Sequence, residues 1–546
     1  MEKNGKIVSG NIVDVLRSEI YPGTLKISDG RIMDIIREDK EYQNYITPGF
    51  IDSHVHIESS LLVPSEFARV AVIHGTVAVV SDPHEIANVL GVEGVKYMME
   101  NTETVPMKFY FGAPSCVPAS PFETSGAVIG PEQVEELLRL EGIKYLGEVM
   151  NFPGVLKNDP GVNKKISIAK KYSKLIDGHA PGLRGKDLER YFSAGISTDH
   201  ECFTKEEALE KIGLGMKVQI REGSAAKNFE ELILIVEEYH ESCMFCSDDK
   251  HPDDLLKGHI NSLVKRALNY GIDIMKVLRV ACVNPVLHYR LDVGLLRLGD
   301  YADFLVIDNF EDFNILKTYI NGEVVAEEGR PLINKRPSKI INNFKVGEKG
   351  VADFALPSKK GKINVIEAMD GQLITNRLSI TPKVGDGHVV SDVERDILKM
   401  AVVNRYRDAG VAVGLVKNFG LNKGAIASSV AHDSHNIIAV GVTDKDICRA
   451  VNLIIGNKGG ISAVSEEKEM VLSLPIAGIM SNEDYVDVAE KYTAIDDMAK
   501  SLGSRLQAPF MTLSFMALLV IPKIKLSDRG LFDGEKFEFI DVFEEE

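Results

Sequence analysis

Residues 1–47 carry short runs of alternating apolar and polar positions, KIVSGNIVDV and TLKISDGRIMDII, broken at Asp29-Gly30. Period-two alternation with a turn-forming pair at the break predicts half-buried antiparallel strands. From Thr47-Pro48-Gly49 onward the texture changes to apolar runs such as Phe50-Ile51 and Val77-Ala78-Val79-Val80, separated by stretches of helical character such as PEQVEELLRLEG and TKEEALEKIGLG. About eight such strand-then-helix units predict a parallel sheet closed into a (β/α)8 TIM-type barrel. The β texture returns in LGDYADFLVIDNF and KTYINGEVVAEEG, where Asn321-Gly322 marks a hairpin. The expected fold class is therefore α/β. The barrel spans 49–285, and a small β-sandwich domain is built from the flanking segments 1–48 and 286–336. A connector covers 337–362, and a C-terminal α/β domain covers 363–546.

Composition narrows the function classes. The chain has 546 residues, 45% of them hydrophobic and 26% charged, with a formal net charge of −17. That length implies two or three domains. The acidic balance argues against a nucleic-acid partner, which asks for a basic face, and favours a small neutral substrate. Six cysteines in so long a chain make no disulfide framework, and the first residues, MEKNGKIVSG, lack the apolar stretch of a signal peptide. A reducing cytoplasm is expected. The longest apolar run, Phe510 to Ile521, is too short for a bilayer and is expected in the core, so no membrane partner is foreseen.

The strongest chemical signal is Gly49-Phe50-Ile51-Asp52-Ser53-His54-Val55-His56. Residues two apart on a strand face the same side, so His54 and His56 can share one cation. Asp52 could orient a histidine from behind or simply turn the strand end. Other apolar runs also end in ionisable groups: Asp82, His84 and Glu85 after Val77–Val80, Glu148 after Tyr145-Leu146-Gly147, His179 after Leu175-Ile176, His200 after Ile196, and Asp248-Asp249 after Met244-Phe245. Barrel active sites are built at the C-terminal ends of the strands. Each group alone could be a cap or a satisfied hydrogen-bonding residue, but their order along one barrel points to a metal centre.

That order, HxH, carboxylate, His, His, Asp, resembles the amidohydrolase superfamily, and the wording is similar to its adenine deaminase family. The resemblance rests on PGFIDSHVHIESSLLVPSEFARVAVIHGTVAVVSDPHEIANV, GEVMNFPGV, DGHAPGL, STDHE and SDDKHPDDL. It continues through GLVKNFGLNKGAIASSVAHDSHNIIAVG, LPIAGIMS and PFMTLSFMALLVIP and so covers nearly the whole chain. It implies hydrolytic removal of ammonia from C6 of adenine, giving hypoxanthine, with adenine as the small-molecule partner and a homo-oligomer, a dimer, as the assembly. It also implies that His54, His56 and Asp248 hold a first metal, that Glu148 bridges, and that His179 and His200 hold a second. The two ions would be Mn2+ or Fe2+, with Zn2+ as an alternative, since His and carboxylate ligands suit several divalent metals. Asp82, His84 and Glu85 would lie over the substrate, Glu148 and Asp248 would shuttle protons, and Asp249 would contact the purine.

The chemistry is coherent with that set. A bound divalent cation lowers the pKa of water from about 15.7 to about 7, so hydroxide becomes available for attack on C6. A proton must then reach N1 and another the departing amine. A cyclic-amide hydrolase of the dihydroorotase or hydantoinase kind is the alternative enzyme, opposed by Glu148 standing where those relatives carry lysine. A non-catalytic scaffold is the alternative of another class. Cys243-Met244-Phe245-Cys246 has no second CxxC and is expected as core. His432 and His435 are expected as polar loop packing or lining of the barrel entrance. Gly456 to Gly460 is expected as a loop without the phosphate-binding pattern. His240, His251, His259, His288 and His388 are expected at the surface or at helix ends.

Overall fold

The structure is a computed structural model and describes residues 5–544. The apolar runs after Gly49 form eight parallel strands: β1 (Phe50–Val55), β2 (Thr76–Ser81), β3 (Lys108–Ala113), β4 (Ile143–Val149), β5 (Leu175–Gly178), β6 (Thr198–Asp199), β7 (Lys217–Arg221) and β8 (Cys243–Cys246). Strands β1 to β5 pair in sequence order, and so do β6 to β8. Two junctions close the ring. Between β5 and β6 the Ser197 amide donates to Ile176 O at 2.9 Å. Between β8 and β1 the Asp248 amide donates to His54 O at 3.0 Å, and the His56 amide to Asp248 O at 3.2 Å. The seam of the barrel is thus made by residues that also carry candidate ligands.

The flanking segments meet in one eight-stranded sheet. Tyr45–Pro48 pairs antiparallel with Phe304–Ile307, joining the N-terminal strands to those from 315 to 331. Its hairpins turn at Asp29-Gly30, with φ of 52° and 75°, and at Asn321-Gly322, with φ of 49° and 73°. Two consecutive positive φ values match the right-handed twist of a two-residue hairpin, and Asp, Asn and Gly tolerate them. Ile12, Leu25, Ile27, Ile46, Phe304 and Tyr319 pack one core of this sheet.

Residues 337–362 contain only one short 3-10 turn, Val351–Phe354, before a second eight-stranded sheet begins at Ile363–Ala368. Its central strands Ile397–Val403, Ile437–Gly441 and Gly460–Val464 are buried throughout. Helix Asp444–Asn457 covers one face and takes in Gly456 and Asn457, so only part of the expected 456–460 loop is a loop. Helix Tyr485–Ser501 docks this domain on the barrel. Arg69 Nη1 reaches Asp484 Oδ2 and Glu66 Oε2, both at 2.6 Å, and the Tyr485 amide donates to Glu66 Oε2 at 3.2 Å. Phe510 to Ile521 is interior, as helix Pro509–Phe515 and the turns after it. Among the described residues no helix is long and apolar enough to cross a membrane.

Behind β6, Lys211 is fully buried, with Nζ 3.0 Å from Asp199 Oδ1 and 2.7 Å from Glu207 Oε1, and it donates to Ala180 O at 2.9 Å. Burial works against its charge, but Asp199 leads the groups that overcome this and raise its pKa. Lys211→Met leaves two buried carboxylates without their cation and is expected to lower the unfolding free energy by about 3–5 kcal/mol. Urea denaturation checks this; a loss under about 1 kcal/mol, within the range of an exposed pair, would contradict it.

Candidate active site and metal centre

The C-terminal strand ends converge on one buried cluster. Pairing between β1 and β2 slips between Asp52 and Val55, yet His54 and His56 turn into the same space, with Nε2 atoms 3.2 Å apart. His56 Nδ1 lies 3.0 Å from Asp82 O. A proton on that nitrogen leaves Nε2 as a lone pair facing the cluster. Asp248 follows β8 at φ 52°, a left-handed conformation that Asp tolerates better than most residues. Its Oδ1 lies 3.2 Å from His56 Nε2 and 3.6 Å from His54 Nε2. Glu148 comes from β4, with Oε1 3.5 Å from His56 Nε2 and Oε2 3.9 Å from His54 Nε2. The same Oε2 lies 2.9 Å from His179 Nδ1 and 3.1 Å from His200 Nε2. Glu148 therefore stands between one group of His54, His56 and Asp248 and another of His179 and His200.

Asp82, His84 and Glu85 follow β2 at the edge of this cluster. The Glu148 amide donates to Asp82 Oδ2 at 2.8 Å. Gly147 makes the approach possible, because a Cβ there would lie 2.2 Å from the same oxygen. His84 Nδ1 is 3.6 Å from Asp82 Oδ1 and 3.5 Å from Glu148 Oε1. Its Nε2 is 3.3 Å from Glu85 Oε1. Asp249 accepts from the Ser59 hydroxyl beside Asp248. The ten residues picked out in the sequence thus come together at one barrel mouth.

Glu201, Arg221 and Asp433 were not foreseen as neighbours, whereas His432 was expected at the barrel entrance or in loop packing and does line the entrance. Glu201 Oε1 lies 3.6 Å from His200 Nε2 and 3.7 Å from His179 Nδ1. Arg221 holds both Glu201 oxygens and reaches Asp248 Oδ2 at 2.6 Å. Glu201 was adjacent to a chosen histidine and could have been taken with it. Arg221 ends a strand that holds no histidine or acid, and with only Glu222 after it the segment formed no motif and gave no signal. From the C-terminal domain, His432 Nδ1 bonds Glu85 Oε1 and His435 Nε2 lies 2.5 Å from Glu85 Oε2, while Asp433 lines the same cavity.

Of the two places expected for them, His251 and His259 take the helix end, and both are buried there. His259 Nε2 is 2.8 Å from Asp52 Oδ2, and Asp52 Oδ1 accepts from the Ser247 amide at 3.0 Å. Asp52 thus ties β1 to the end of β8, behind the seam. His388 is exposed. Cys243 and Cys246 are buried and free in β8.

Charge dominates the cluster. Asp82, Glu85, Glu148, Glu201, Asp248, Asp249 and Asp433 are seven buried carboxylates. Among the described residues Arg221 is the one Lys or Arg paired with any of them. Burial alone would raise Glu148, but His179 and His200 outweigh it and hold the carboxyl well below its usual range. Burial is likewise opposed at Asp248, where Arg221 and then His56 keep the carboxylate ionised. Excess negative charge in a dry site calls for cations. The donor atoms stand 2.9 to 3.9 Å apart, close to the spacing of neighbouring ligands around an ion bound at about 2.1 Å. The groups His54-His56-Asp248 and His54-Glu148-His200 are each compact enough to hold one ion. The residues present fit divalent metal.

An apolar wall faces this cluster. Met150 from the barrel and Leu373, Phe515 and Leu518 from the C-terminal domain line a cavity of about 30 Å³ together with the acids and histidines. Lys525 braces the wall from behind. It is fully buried and donates to Leu373 O at 2.6 Å and Phe515 O at 3.0 Å, and burial lowers its pKa to about 7.

Known proteins resemble this chain over nearly its whole length. Residues 45–325 match the amidohydrolase family, and residues 372–538 match the adenine deaminase C-terminal domain. An adenine deaminase from Sulfurovum sp. is 56% identical over 535 residues, covering 98% of this chain and 99% of its own. One from Salinibacter ruber is 54% identical over 538 residues, 98% of each chain. Among solved structures, E. coli guanine deaminase is 15% identical with a TM-score of 0.43, covering 60% of this chain and all of that one.

Two outcomes are expected. His54→Ala and His56→Ala should each lose bound divalent metal, measured by elemental analysis, whereas Asp82→Asn and His84→Asn should keep it and lose turnover. Full metal in the first pair would contradict the assignment. For Lys525 the folded pKa lies below the unfolded value of 10.5. The unfolded chain therefore binds more protons between pH 7 and 10.5, and stability rises with pH across that window. Lys525→Met should abolish this rise, which for the wild type amounts to a few kcal/mol. Denaturation from pH 7 to 10 checks it, and parallel profiles for the two proteins would contradict it.

Proposed function

This chain belongs to the amidohydrolase family and, within it, to the adenine deaminases; we propose from that premise how its own side chains convert adenine and water into hypoxanthine and ammonia. The observation that carries the activity is the identity above 50% to adenine deaminases across both the barrel and the C-terminal domain. The metal site alone would serve many amide hydrolases. No observation favours the cyclic-amide or scaffold alternatives.

In this reading His54, His56 and Asp248 hold one divalent ion, His179 and His200 hold a second, and Glu148 lies between them. Two ions of manganese or iron are proposed, with zinc as the alternative, because the donors are nitrogen and oxygen with no thiolate. When bound, the ions supply Lewis acidity that makes water a nucleophile at neutral pH. The protein's part is positioning and proton transfer. Asp248, kept ionised by Arg221, accepts a proton from the attacking water. Glu148, ionised at rest and beside His84, relays that proton to N1 as charge builds on the ring. His84, backed by Asp82, lies where it can protonate the amine at C6 so that it leaves as ammonia, and the water's second proton, released as the new C6 hydroxyl becomes the carbonyl, restores the proton that His84 gave. Asp249 contacts the purine, and Glu85 anchors the C-terminal side of the site. Leu373, Phe515 and Leu518 cover the flat apolar faces of the base and exclude water.

A homodimer and a cytoplasmic location complete the proposal. The six free, buried cysteines and the acidic composition suit a reducing compartment.

Metal-loaded protein should release ammonia from adenine, followed together with the ultraviolet change to hypoxanthine, and should act far more slowly on adenosine, whose ribose must pass the C-terminal wall. Glu148→Gln keeps the shape but removes the charge, and should lower kcat/KM by at least about 100-fold. Turnover of dihydroorotate or adenosine well above adenine would overturn the substrate assignment. A near-normal Glu148→Gln rate would overturn the role of that carboxylate.

A further inference from the structure

The C-terminal domain contributes one imidazole to the barrel mouth that the proposed chemistry leaves unused. His432 is buried and lines the same cavity as Glu148, His200 and Asp248. Its ring is fixed in two ways. Nδ1 bonds Glu85 Oε1, and one face lies on Phe515 with centroids 4.6 Å apart and planes 15° from parallel. A ring held in place and in plane loses little freedom when a ligand arrives.

The other nitrogen, Nε2, is buried and has no hydrogen-bond partner among the described residues. Buried polar atoms are rarely left unmet, so an unpaired one on a cavity wall is directed at something the cavity receives. Burial alone would lower the ring's pKa, but Glu85 and then Asp249 overcome it and raise it to about 9. With Nδ1 committed to the Glu85 carboxylate, these neighbours favour the protonated ring, which leaves an Nε2–H facing the cavity.

Adenine with its proton on N9 offers three ring acceptors: N1, N3 and N7. N1 neighbours C6 and takes the catalytic proton, which leaves N3 and N7. We propose that His432 is a substrate-recognition residue whose Nε2–H donates a hydrogen bond to N3 or N7 of the purine while C6 and N1 face the metal-capable cluster. The contact comes from the domain that distinguishes this chain from barrel-only amidohydrolases, and it rests on the adenine reading above. Glu85 is the positioning residue, and it retains His435 and His84 as neighbours when His432 is replaced.

The test compares wild type, His432→Phe and His432→Asn on adenine, 3-deazaadenine and 7-deazaadenine, with metal content measured for each. Phe keeps the stack on Phe515 without the donor, and Asn is too short to reach. Wild type should lose about 10- to 100-fold in kcat/KM on the analogue that lacks the accepting nitrogen. In the variants adenine should fall by a similar factor, that analogue should be used as well as adenine, and metal content should stay unchanged. An equal penalty in wild type and variant, or normal adenine kinetics in His432→Phe, would overturn the role of His432. Should His432→Phe not fold, His432→Asn carries the same comparison. Metal-loaded wild type that leaves adenine untouched would instead overturn the substrate reading itself, whatever the variants do.

Discussion

Seven carboxylates are buried at the mouth of one barrel, and among the described residues one guanidinium, that of Arg221, pairs with two of them, Glu201 and Asp248. In a medium of low dielectric, negative charge at that density persists only where countercharge is supplied. Protonated histidines could supply some of it, but an imidazolium has no lone pair for a ligand. The bond from His56 Nδ1 to Asp82 O fixes the tautomer, so that the neutral ring presents its Nε2 lone pair inward. Divalent ions satisfy both demands at once, which is why the proposed ligands, the proton-transfer groups and the barrel seam occupy the same few residues. The Asp248 backbone closes β8 onto β1 while its side chain faces His56. Closing the barrel and assembling the site are one event.

Much of this was legible in the chain because a strand has a fixed period and a barrel has a functional end. His54 and His56 are two apart, and Glu148, His179, His200 and Asp248 each end an apolar run, so their convergence followed from the fold class alone. What was not legible is long-range. Arg221 carries no motif, and the bond from His432 to Glu85 spans 347 residues. No local pattern announces a contact made only when a second domain closes over the first. His259 does stand at a helix end, as expected, but its bond to Asp52, 207 residues away, was not legible for the same reason.

The two domains divide the work. The barrel carries the chemistry that any amidohydrolase needs, while the C-terminal domain brings the apolar wall and His432. Lys525 ties two of the wall residues together through their carbonyls, a brace whose ammonium lies in a site that disfavours its charge. The cost of burying it is the sort a protein carries at a functional site and offsets elsewhere.

The most direct test of the central claim is anomalous diffraction from crystals of the manganese-loaded protein, collected at the metal edge. The account predicts two peaks flanking Glu148, one within bonding distance of His54, His56 and Asp248 and the other within bonding distance of His179 and His200. No peak at either place in protein that deaminates adenine would contradict it.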